Sequence, residues 1–128
     1  MERKKIMTIQ TFYEVIGEDY EDVFNRFMME SLVVKFVKKF IEDPTFDMLE
    51  QSLENHDVQE AIRASHTFKG ICDNMGFVKL KNQSEKMTEL LKAGAFQEVK
   101  KLLPAFKQEY QWIIEMTQNC YKRGGSFA

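Results

Sequence analysis

The sequence predicts an all-α fold, an antiparallel four-helix bundle with one additional short N-terminal helix. Three observations predict it. Only 6 of the 128 residues are Gly and only 2 are Pro, too few breakers for a many-turned β fold. Apolar side chains recur at helical spacing along most of the chain. The stretches between the periodic segments are a few residues long, which makes consecutive helices antiparallel neighbours. The length suits one domain with one core. That domain is expected over 1–128, with the bundle core at about 19–121 and a flexible tail over 122–128.

Each element has its own signals. A short helix over 9–16 stops at Gly17, a residue free to take the left-handed conformation that ends helices. Asp19 is placed to N-cap a long helix reaching about residue 42, with Val23, Phe27, Leu32 or Val34, Phe36 or Val37, and Phe40 or Ile41 at helical spacing. Asp43-Pro44 is a restart, an N-cap residue followed by Pro at the first helical position. The segment over 45–54 carries Phe46, Leu49 and Leu53 on one face. Asn55-His56-Asp57 is a break, and Asp57 with Glu60 has capping-box spacing. The helix it opens runs to Met75, with Gly76 as its left-handed cap. Another follows over about 77–93, closed by Gly94. The last spans about 95–121 and is kinked by Pro104, which removes one helical hydrogen bond.

Composition excludes several classes. With 44% hydrophobic and 30% charged residues the chain is ordinary for a globular protein. A net charge of −2 lacks the basic excess that nucleic-acid binding needs. No window approaches a membrane-spanning apolar run. Cys72 and Cys120 stand in no metal or redox spacing and read as reduced, buried thiols, which fits a cytoplasmic protein. The 11 Phe and 8 Met read as core fillers. A di-metal bundle would need Glu-x-x-His pairs, but Arg63 precedes His66 by three and Leu53 precedes His56 by three. No Gly-rich phosphate loop is present, so no nucleotide site is expected.

The chemistry concentrates in residues 61–76. On a helix, Ala61, Ala64, Ser65, Phe68, Cys72 and Met75 form one small and apolar stripe that faces the core. Ile62, His66, Lys69, Gly70 and Asp73 form a second stripe pointing away from it. An exposed imidazole is a usable nucleophile at neutral pH. A phosphoryl group on it would carry close to two negative charges, and Lys69, one turn on, can sit beside them. Gly70 costs the helix about 1 kcal/mol relative to Ala, and a bare backbone beside His66 would let a partner protein press close. Between residues 61 and 86, five cations (Arg63, Lys69, Lys79, Lys81, Lys86) stand against two anions (Asp73, Glu85), a modest positive patch suited to an acidic partner pocket. His56, in a turn without such surroundings, reads as inert, and Asp73 as a solvated rim residue.

His66-Thr-Phe-Lys69-Gly70 followed by Asn74-Met75-Gly76 resembles the His-x-x-Lys-Gly … Asn-Leu-Gly signature of histidine phosphotransfer (HPt) domains. The likeness extends over about 24–110, including Leu53-Glu-Asn-His-Asp57 and 61–65. The resemblance implies an HPt-like four-helix bundle and a carrier without its own ATP site, not an enzyme in its own right. His66 would be phosphorylated by a receiver aspartate or by a sensor or hybrid histidine kinase, and would pass the group to a response regulator receiver domain. Lys69 would neighbour the phosphate, Gly70 would give access and Gly76 would be structural. It implies no cofactor of its own, with Mg²⁺ held by the partner receiver. On the following helix the family often places Glu or Gln facing the histidine. By spacing that position is Thr88 here, with Glu85 and Glu89 close by, and which of the three orients His66 stays open. A receiver-binding regulatory module with little phosphotransfer is the alternative function. Chemotaxis-type kinases share His-x-x-Lys-Gly, but with no kinase segment following, a stand-alone, monomeric carrier is expected. Ile62 and Ile71 are the expected apolar contacts to a receiver.

Overall fold

The computed structural model describes residues 7–122 and 126–127. Among the described residues seven helices follow in order: α1 (Ile9–Val15), α2 (Tyr20–Phe27), α3 (Glu30–Glu42), α4 (Thr45–Glu54), α5 (Val58–Met75), α6 (Val78–Lys92) and α7 (Phe96–Cys120). At the C-terminal end Tyr121 and Lys122 pair antiparallel with Phe127 and Ser126. The rest of the tail expected over 122–128 lies outside the described residues, as does the side chain of Cys120. None of the described helices is long and apolar enough to cross a membrane.

Helices α4–α7 are the four-helix bundle. Cross-helix pairs show their antiparallel order. Lys69 and Asp73, ascending α5, pair with Glu85 and Lys81, descending α6. Phe46 stacks on Tyr110 at 4.2 Å between ring centroids, and Glu50 meets Lys107 at 2.8 Å, joining α4 to α7 in the same sense. Phe68 of α5 packs edge-on to Phe46 and tilted against Phe106, which fills the bundle's centre with rings. The Phe residues mostly serve as core fillers. The Met residues divide: Met75 and Met87 are buried, but Met28, Met29 and Met48 are exposed.

Helix ends follow the local signals. Thr8, Asp19 and Asp57 accept hydrogen bonds from N–H groups of the first turns of α1, α2 and α5. Asp43 accepts from the Thr45 N–H at 2.8 Å, but Pro44, expected as the first helical residue, is itself the cap, and α4 opens one residue later at Thr45. Gly17, Gly76 and Gly94 all take positive φ after α1, α5 and α6. At Gly76 the space where a Cβ would stand is filled by the Val23 side chain, so glycine is required there by packing as well as by φ. His56 occupies the same kind of position after α4, with φ 57°. The Asp57 N–H reaches back to the Ser52 carbonyl at 2.9 Å, closing the turn as Gly-ended helices do.

Two further expectations are corrected. The long helix expected from Asp19 to residue 42 is two helices, broken at Met28 in the left-handed conformation. In one straight helix Phe27 and Phe36 would be about 13.5 Å apart along the axis. The break folds them together, with rings stacked at 4.8 Å. The core also begins before residue 19, because Ile9, Phe12, Tyr13 and Ile16 are buried in it. α1 and α2 lie over the C-terminal end of α5. The Tyr13 hydroxyl donates to the Met75 carbonyl at 2.6 Å, and Arg26 donates to the Asp73 and Asn74 carbonyls at 2.9 and 2.7 Å. These side chains satisfy carbonyls that a helix end leaves without partners.

Candidate functional site

α5 sets its two faces apart as helical spacing requires. Its buried residues are Ala61, Ala64, Ser65, Phe68, Cys72 and Met75. On the other face His66, Gly70 and Asp73 are exposed, and Ile62, Lys69 and Ile71 are half-buried. His66 is therefore held in the middle of a regular helix with its ring side open. Gly70 lies one turn on. An added Cβ there would meet nothing within 4 Å. Nothing among the described residues requires a glycine at that position.

The face is anchored from behind by a hydroxyl seam. Small residues at 61, 64 and 65 admit α6, whose buried residues are Leu80, Ser84, Met87, Thr88 and Leu91. The Ser84 hydroxyl donates to the Ser65 carbonyl at 2.6 Å, and the Ser65 and Thr88 side-chain oxygens lie 2.7 Å apart. Ser65 and Thr88 also reach the carbonyls of Ile62 and Ser84 at 3.1 and 3.0 Å. Every polar atom in this seam has a partner, which buried polar groups need.

The seam decides the position of Thr88. It faces Ser65, not His66. Glu85 is engaged elsewhere, its Oε1 3.7 Å from Lys69 Nζ. Glu89 is exposed. Among the described residues none hydrogen-bonds or ion-pairs with His66, so none of the three candidates orients the ring here. Sequence reasoning missed the seam. Its signal was Ser84 and Thr88, four residues apart on one helix face and opposite the small stripe.

The positive patch is weaker than the charge count implied. Arg63 pairs with Glu60 at 3.7 Å, Lys69 with Glu85 at 3.7 Å and Lys81 with Asp73 at 3.3 Å. Glu60 lies just outside the counted stretch, and α6 turns Glu85 onto the same face as Lys69. Exposed pairs of this kind leave each charge largely solvated and easily re-partnered.

Other candidate groups are set apart. Burial pushes the Cys72 thiol well above its ordinary pKa, which makes it a poor nucleophile. His56 sits in the α4–α5 turn. Two cavities, of about 320 and 400 Å³, are lined by neither His66 nor Lys69. The first is walled by Leu53, Ala61, Leu91, Val99 and Leu103 at the bundle end formed by the α4–α5 and α6–α7 turns. Among the described residues no three His, Cys, Asp or Glu side chains converge as a metal ion requires.

No curated protein and no solved structure matches the chain. The family described as Hpt domain matches residues 38–115, which takes in all of α4, α5 and α6 and most of α7.

Proposed function

The chain belongs to the Hpt domain family, and on that premise we propose that it is a phosphorelay carrier that uses His66. His66 accepts a phosphoryl group from the aspartyl phosphate of a receiver domain, or from a sensor or hybrid histidine kinase, and passes it to the receiver of a response regulator. One observation carries the reading. An exposed histidine stands mid-helix beside a glycine whose missing side chain nothing among the described residues requires. Because glycine there costs the free helix stability, its benefit lies in an approaching partner.

The geometry suits transfer between proteins. A small-molecule enzyme encloses its substrate in a cavity, whereas His66 stands on an open helix face. The unprotonated ring nitrogen attacks phosphorus. The N–P bond forms as the P–O bond to the aspartate breaks, and the carboxylate leaves with the electron pair. Onward transfer is the reverse at a second receiver. Lys69 neutralises part of the phosphoryl charge. Mg²⁺ belongs to the receiver, and this carrier needs no cofactor of its own. We place it in the cytoplasm.

The test is incubation with a phosphorylated receiver domain, following label. Uptake by wild type and none by His66→Gln is expected. Equal uptake by His66→Gln overturns the reading. Tight receiver binding unaffected by His66→Ala, without transfer, replaces it with a regulatory module.

A further inference from the structure

Lys69 is already engaged when His66 carries no phosphate. Its ammonium lies 3.7 Å from the Glu85 carboxylate, which comes from the neighbouring helix. The adjacent Lys81–Asp73 pair is the next rung across the same α5–α6 groove. It occupies the one carboxylate on α5 that lies a turn beyond Lys69. The Lys69 and Glu85 side chains are 33% and 46% exposed, so water screens the pair and it opens readily.

A phosphoryl group on His66 would add close to two negative charges one turn from Lys69. Two anions would then compete for one ammonium. If Lys69 were wholly free, it would stabilise the phosphorylated histidine and slow its discharge. A carrier must instead hold phosphate in a state that the next receiver can take.

We propose that Glu85 is a positioning residue that keeps phosphate on His66 labile by holding Lys69. The inference rests on the reading of His66 as the phosphorylated residue. Glu85 forms no bond and takes no proton in the transfer. It changes only how much Lys69 stabilises the N–P state relative to the aspartyl phosphate.

The experiment measures the equilibrium division of label between this protein and a receiver domain for wild type, Glu85→Gln, Lys69→Ala and the double variant. Both side chains are at the surface, and thermal melts confirm that each variant is folded. Glu85→Gln should shift the equilibrium toward phosphorylated His66 by about two- to fivefold, the range of an exposed ion pair. The shift should vanish when Lys69 is Ala. Label on wild type with no shift in Glu85→Gln, or the same shift with and without Lys69, overturns this inference and leaves the carrier function standing. No label on wild type overturns both.

Discussion

The side-chain oxygens of Ser65 and Thr88 lie 2.7 Å apart in the buried seam between α5 and α6, one residue from His66. With the Ser84 hydroxyl on the Ser65 carbonyl, this contact ties α5 to α6 on the side away from the exposed face that carries His66. Thr88, one of the three residues left open as neighbours of the histidine, instead holds the helix behind it.

Thr88→Val tests that role. The substitution keeps the shape but removes one partner from the Ser65 hydroxyl in a dry environment. A loss of about 1–2 kcal/mol in unfolding free energy is expected from urea denaturation. Label uptake at His66 should persist under conditions where the variant is folded. A Thr88→Val protein of unchanged stability that no longer takes label would show that Thr88 orients the ring.

Gly70→Ala should separate stability from function. A Cβ at 70 meets open space, and Ala is the better helix former by about 1 kcal/mol. The variant should be more stable by about 0.5–1 kcal/mol, read from the denaturation midpoint, yet slower in transfer with a receiver. Transfer at the wild-type rate would remove the argument that the glycine serves a partner.

His56→Gly serves as the control histidine. His56 ends α4 at φ 57°, where Gly17, Gly76 and Gly94 end other helices. Glycine relieves that left-handed strain, so a gain of about 0.5–1 kcal/mol is expected in chemical denaturation. Phosphoryl uptake should be unchanged, because His56 lies in the α4–α5 turn, off the exposed face of α5.

Alkaline pH should destabilise the protein through two phenols, the buried Tyr13 and the half-buried Tyr110. Burial, then the nearby Asp47 and Asp43 charges, push the Tyr110 phenol up to about 12, and burial raises Tyr13 further. In the unfolded chain these groups ionise near 10. The unfolded state therefore releases protons first as pH rises. The Tyr110 contribution is complete below about pH 10 and is lost as pH climbs through about 12, and that of Tyr13 is lost at still higher pH. Denaturation midpoints measured across that interval should fall, and Tyr110→Phe should flatten the fall.

Which residues share a face, and where most helices stop, can be read along the chain. The buried stripe of α5, the open position of His66 and the glycine ends at 17, 76 and 94 were all legible in it. Those features depend on the 3.6-residue period and on local φ preferences, which neighbours along the chain decide. What those faces touch depends on how the helices pack. The break at Met28 carries no Gly or Pro signal and arises because Phe27 folds onto Phe36. Thr88 meets Ser65, and Lys69 meets Glu85, because α6 packs in one rotation against the small residues of α5. A helix's rotation against its neighbour depends on the close packing of side chains distant in sequence. That packing also leaves His66 on an open face beside Gly70 and pairs Lys69 with Glu85, one of three residues that spacing left open as neighbours of the histidine.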